Sequence, residues 1–125
     1  MAIIRRLKDE IRRFSIGVHN IIKWIPVLYK DRDWDFYFVY NILQKKLEFT
    51  EKAIRNSSLE NGGRYANKIR TAIRLIEIVR DEKYLDEVLM EDDWSKIKNA
   101  IAKQDKAKKL LFNYLHHYIE QWWSS

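Results

Sequence analysis

Three glycines and one proline interrupt a chain of 125 residues. Tight turns draw on those two residue types, so a chain this poor in them reverses mainly between long helices. Its apolar residues recur in steps of three and four, the spacing of a helix face, with no run alternating in steps of two. The expected fold is all-α: a compact bundle of four to five main helices forming one helical domain over residues 1–125.

The pattern can be followed along the chain. Ile3, Leu7, Ile11 and Phe14 make one apolar face. Gly17 is expected to weaken or bend it, and Val18, Ile21, Ile22, Ile25 and Tyr29 resume it. Pro26 lacks an amide donor and is expected to kink this stretch or start a new turn. The run Asp31-Arg32-Asp33-Trp34-Asp35 is the clearest punctuation. Asp33 suits a helix cap and Asp35 a first turn, where the helix dipole favours negative charge. The helix that follows should bury Phe38 or Val39, Ile42, Leu43, Leu47, Thr50 and Ile54. Asn56-Ser57-Ser58 and Asn61-Gly62-Gly63 read as a loop. A helix over Arg64 to Arg80 should turn Tyr65, Ile69, Ala72, Ile73, Ile76 and Val79 inward. Tyr84 to Leu89 suggests a short acidic helix. Asp92 or Asp93 caps a last helix from Trp94, with Ile97 and Ile101 on its inner face. Lys103 to Lys109 is polar nearly all round and is expected to be solvated or broken. Leu111, Leu115, Tyr118, Ile119 and Trp122 restore the face, and Trp123 points elsewhere.

Composition excludes several classes. With no cysteine there is no disulfide, thiolate nucleophile, iron–sulfur cluster or cysteine zinc site. No stretch approaches the ~20 apolar residues of a membrane span. Charges interrupt the first residues at once, unlike a signal peptide, so a soluble, cytoplasmic protein is expected. No phosphate loop, dinucleotide fingerprint or nucleophile in a known setting is present, and no enzyme is expected. No cofactor is implied. His116 and Glu120 share a helix face, but spacing supplies no further ligands, so no metal site is expected.

The net charge of +6 is unevenly spread. Residues 1–30, 64–80 and 96–109 are basic, whereas 81–93 is acidic. Such segregation favours an anionic partner or self-association. Five tryptophans and seven tyrosines add flat faces suited to cores, interfaces and base stacking.

Several stretches together carry a resemblance. They are Asn20-Ile21-Ile22-Lys23-Trp24 leading into Asp31-Arg32-Asp33-Trp34-Asp35, then Lys46-Leu47, Asn67-Lys68-Ile69-Arg70, Ala72-Ile73-Arg74-Leu75, and Tyr118-Ile119-Glu120-Gln121-Trp122-Trp123. The pattern resembles a family of small, uncharacterised all-helical proteins of tailed bacteriophages. The resemblance covers most of the chain after Val18. It implies a phage context, an infected bacterial cytoplasm and a non-structural accessory role, with no activity attached. Family members often carry an acid after the tryptophan pair, where this chain has Ser124.

On that footing the leading expectation is a non-catalytic anti-defence protein that sequesters a small nucleotide second messenger. Arginine forks phosphate and aromatic rings stack bases. The expected ligand residues are Lys30, Arg32, Trp34, Tyr37, Lys46, Arg70 and Arg74, in a homo-oligomer. The alternatives are a nucleic-acid-binding protein using the basic helices at Arg5–Arg13 and Lys96–Lys109, and a protein–protein inhibitor or assembly factor with no small ligand. A fourth reading lays Met1 to Tyr29 on a membrane surface as a basic amphipathic helix, which competes with the need of that face for a core.

Overall fold

The computed structural model describes residues 1–57 and 60–123, the last without its side chain. The expectations for Ser58, Ser124 and the Trp123 side chain lie outside the described residues. The backbone divides into two compact units, Met1–Asp33 and Trp34–Ser125. All regular structure among the described residues is helical.

The first unit is one helix, α1, Ala2–Lys30. It runs unbroken through Gly17 and Pro26. Lys30 in its last turn complements the negative end of the dipole. A lone helix has nothing within its own unit to cover an apolar face, and Ile11 and Phe14 are 67% and 75% exposed.

The second unit is a bundle built on α2 (Phe36–Arg55), α3 (Gly62–Arg80) and α5 (Trp94–Tyr118). A short α4 (Lys83–Asp86) precedes α5, and a 3-10 turn, Ile119–Trp123, follows it. Asp35, not Asp33, caps α2: its backbone is extended and its carboxylate accepts from the Tyr37 amide at 3.0 Å. Asp93 caps α5 by accepting from the amides of Ser95 and Lys96. Asn61, at φ 65°, turns the chain into α3. Gly62 follows because a Cβ there would stand 3.1 Å from the Ile54 carbonyl oxygen, where α2 ends.

Helix α3 is the centre of the core. Ala66, Ile69, Ala72, Ile73, Ile76 and Val79 are buried, as its spacing predicts. Leu47 and Ile54 of α2, Ala107, Leu111 and Leu115 of α5, and Trp122 complete the cluster. Trp122 is almost wholly enclosed, so the 3-10 turn folds the end of the chain back over α2 and α3.

Two expectations are corrected. On α2 Leu47 and Ile54 are buried as expected, but Gln44 and Glu51 complete their line in place of Phe38 or Val39, Ile42, Leu43 and Thr50, none of which is fully buried. On α5 it is Ala100, Gln104, Ala107, Leu111 and Leu115, while Ile101 is 49% exposed. The helix does not break at Lys103 to Lys109, because the small side chain of Ala107 and the amide of Gln104 face α3 there. Gln104 Nε2 donates to the Ile78 and Val79 carbonyls at 3.1 and 3.3 Å, which α3 leaves open at its C-terminal end.

This placement separates two similar-looking residues. Leu111→Ala should cost about 2–5 kcal/mol, the range for a leucine truncated in a closed core. Ile101→Ala, one helix face away, should cost less than about 1 kcal/mol. Urea unfolding of the two variants measures both.

Candidate functional site

The α2–α3 pair holds the densest polar arrangement in the second unit. The helices run antiparallel, so descending positions on one meet ascending positions on the other. The Asp35 cap sets Tyr37 in the first turn of α2, beside the last turn of α3. There the Arg80 guanidinium lies 5.4 Å from the centre of the Tyr37 ring. Its Nε and Nη2 donate to the two Asp81 oxygens at 2.9 and 3.1 Å, and Nη1 donates to Gln44 Oε1. Gln44 Nε2 in turn donates to Glu48 at 3.0 Å and Glu77 at 3.2 Å.

Two turns along, Glu51 Oε1 accepts from Arg70 Nη2 at 2.9 Å, Arg70 Nε at 3.3 Å and Arg55 Nε at 3.3 Å. Arg55 Nη2 reaches on to Asn67 at 2.9 Å. Glu51 is buried, and its Oε2 has no hydrogen-bond partner. The seam is a chain of charge-assisted bonds closed on itself rather than a cradle open to a ligand.

Electrostatics at Arg80 follow from these contacts. The hydrogen bond to Asp81 raises the guanidinium pKa, outweighing the opposing effect of burial. The same bond holds the Asp81 carboxyl below the usual range, again against burial. Burial raises the Tyr40 hydroxyl, and at Tyr114 it is the main raising cause, partly offset by a hydrogen bond with Thr71 and reinforced by Tyr118.

The seven expected ligand residues fall out as follows. Arg32 turns back on the end of α1, its Nη1 donating to the Asp31 carbonyl at 2.7 Å and the Tyr29 carbonyl at 3.3 Å. Lys30, in the same unit, is exposed. Trp34 is 80% exposed just before α2, and Tyr37 attends Arg80. Arg70 is held by Glu51. Arg74 lies one turn beyond it, exposed. Lys46 is also exposed and, two residues from Gln44, projects from the other side of α2. Within the second unit the fold therefore brings Arg70 and Arg74 to one rim and leaves Trp34 and Lys46 away from it. Sequence reasoning missed Gln44, Glu51, Glu77 and Arg80. Their signal was positional: Gln44 and Glu51 continue the steps of Leu47 and Ile54 on a buried line.

Two small clefts lie elsewhere in this unit. One, of about 270 Å³, is lined by Phe36, Tyr40, Val79, Glu82, Gln104 and Lys108. The other, of about 170 Å³, lies between α4 and α5 at Tyr84, Lys96 and Lys103. Both fall under the ~300–1,000 Å³ of ordinary small-molecule sites, whereas an open surface depression of about 600 Å³ at Asp105, Lys108, Lys109, Phe112 and Asn113 reaches that range. Among the described residues no three His, Asp or Glu side chains come together as metal ligands. Nor is any helix of the described residues long and apolar enough to cross a membrane. No family model, curated protein or solved structure matches the chain.

The Arg80–Asp81 pair makes a pH prediction. Because the folded-state pKa of Asp81 is depressed, its contribution is present above the unfolded carboxyl pKa, about 3.9, and is lost as pH falls through the folded value. Asp81→Asn should therefore lower stability at pH 7. The gap between wild type and variant should start to narrow below about pH 4 and close only as pH passes the lower folded-state value. Urea midpoints between pH 7 and pH 3 check this.

Proposed function

We propose that this chain is a non-catalytic interaction protein, in which the helical bundle of the second unit accompanies a long amphipathic helix that works by having its apolar face covered. The observation that carries this reading is the exposure of that face: Ile4, Leu7, Ile11, Phe14, Ile21 and Ile25 each have more than half of their surface open. Monomeric soluble proteins rarely expose contiguous apolar patches of this kind unless they bind something. Such a protein suits the accessory role that the phage resemblance implies, as an inhibitor or assembly factor.

Nucleotide sequestration has less support. It needs several free cations around an aromatic ring. Arg32 and Arg70 already serve carbonyls and a carboxylate of this chain, and Arg80, which does meet a ring, is committed to Asp81 and Gln44.

The double variant Leu7→Glu, Ile21→Glu should abolish the associations the chain makes, with itself or with vesicles of phosphatidylserine. Its thermal midpoint should move by no more than a few degrees, since neither residue belongs to the core cluster. Sedimentation and circular dichroism read the two effects. Micromolar calorimetric binding of a cyclic dinucleotide, lost in Arg74→Ala while association is unchanged in the double variant, would overturn the reading.

A further inference from the structure

The exposed face of α1 has an internal order that a general apolar stripe does not require. Counted in sevens, Ile4, Ile11, Val18 and Ile25 occupy one position. Leu7, Phe14, Ile21 and Leu28 occupy the other. The steps alternate three and four without a miss from Ile4 to Leu28, inside one unbroken helix. All are exposed, down to Val18 at 39%. This is the a/d repeat of a coiled coil, sustained over more than three heptads.

We propose that α1 is the dimerisation element of this protein, pairing in parallel with α1 of a second copy as a two-stranded, left-handed coiled coil. The inference rests on the reading of α1 as an interaction helix and names its partner.

The residue types select this partner. Every a position is β-branched, and two of the d positions are leucine. β-Branched residues at a with leucine at d favour two parallel strands over three or four. A strict seven-residue repeat imposes a left-handed supercoil, which keeps the seam on the partner along its length. At 1.5 Å per residue α1 is roughly 43 Å long, well beyond one or two turns of contact.

The flanks agree. In the parallel arrangement each g residue meets the partner's e residue five positions on. Ile3 then meets the partner's Lys8, Glu10 the partner's Ser15, and Trp24 the partner's Tyr29, with no like charges opposed. Arg5, Arg6, Arg12 and Arg13 fall at the outer b and c positions and stay solvated.

A basic amphipathic helix can also lie on an anionic membrane. A bilayer, however, makes no demand for β-branching at every second seam position. Asp9 and Glu10 also stand on the polar side, among the cations an anionic surface would attract. A second α1 accounts for both features.

The test uses the full chain. Sedimentation equilibrium at micromolar concentration should give twice 15.3 kDa for the wild type. Phe14→Glu, at a d position, should halve that mass. Ile16→Glu removes an equally apolar, 51% exposed residue from the outer f position and should leave the dimer intact. Circular dichroism should show the helices of the second unit kept in each variant, with the contribution of α1 falling in monomeric Phe14→Glu. The chain has no cysteine, so Ile4→Cys gives a single thiol. In parallel strands two such thiols adjoin and oxidise to a covalent dimer. In antiparallel strands they stand about 36 Å apart at 1.5 Å per residue and do not.

A monomeric wild type, a dimer indifferent to Phe14→Glu, or an Ile4→Cys dimer that fails to cross-link overturns the proposal. If a monomeric wild type sediments with phosphatidylserine vesicles and Phe14→Glu stops it, self-association falls while the interaction-helix reading stands. If Phe14→Glu changes neither mass nor vesicle binding, both fall.

Discussion

Helix α3 can hide its inner face only if helices cover it on more than one side. Ile69, Ala72, Ile73 and Ile76 have no exposed surface, and their side chains span more than one edge of the helix. Helix α2 covers one edge and α5 another, while the closing 3-10 turn brings Trp122 across them. At about 1.5–3 kcal/mol for each large apolar side chain removed from water, this burial is the main favourable term of the second unit. The alanines on α3 and α5 have a separate job. Ala66, Ala72, Ala100 and Ala107 let backbones approach where a larger side chain would hold them apart.

Apolar burial alone does not fix the sliding position of two antiparallel helices, since many offsets bring aliphatic residues together. The polar seam discriminates among them. Shifting α3 by one turn against α2 would part Arg70 from Glu51 and Gln44 from both Glu77 and Arg80. It would also leave the buried Glu51 carboxylate with only Arg55, from its own helix. Glu51 is buried but Arg70 is nearly half exposed, so solvent screening holds the cost of truncating either one below the ~3–5 kcal/mol of a fully buried pair. The seam is better understood as a device for register than as a source of stability. The unpaired Oε2 of Glu51 is consistent with that, since a network selected for stability alone would satisfy both oxygens.

Much of this was legible in the sequence, and the exceptions share one cause. The face of α3 could be read directly because its buried residues are all aliphatic. Trp122 could be placed in the core because it continues the steps of Leu111, Leu115 and Tyr118. On α2 and α5 the spacing finds Leu47, Ile54, Leu111 and Leu115, which are buried, but misses Gln44, Glu51 and Gln104, which hold buried positions with polar side chains. Hydropathy moves such residues outward, and nothing local shows that each has a partner on another helix. Choosing between Asp33 and Asp35 as cap needed backbone geometry, since two aspartates two residues apart offer the same chemistry. The candidate site suffered most. Arginine beside an aromatic ring looks the same in sequence whether the guanidinium holds a phosphate or, like Arg80, an aspartate of its own chain.

The two units treat amphipathicity in opposite ways, and that contrast bears on function. In the second unit, the faces that α2, α3 and α5 turn toward one another are covered and the arginines between them are held by carboxylates, while Val39, Leu110 and Phe112 stay exposed on their outer sides. In α1 the positions of the three-four stripe from Ile4 to Leu28 are exposed and Val27 is the buried apolar residue, although the helix is among the most sharply two-faced in the chain. Helices in proteins gain stability mainly from packing of an amphipathic face rather than from propensity, so a helix with β-branched residues along its seam needs a surface to lie against. Glycine at position 17 and proline at position 26 each weaken it further when it stands alone. The sequence therefore combines a modest intrinsic tendency to be helical with a strong, regular face. With a second α1 as the proposed partner, that combination makes forming the helix and forming the assembly one event.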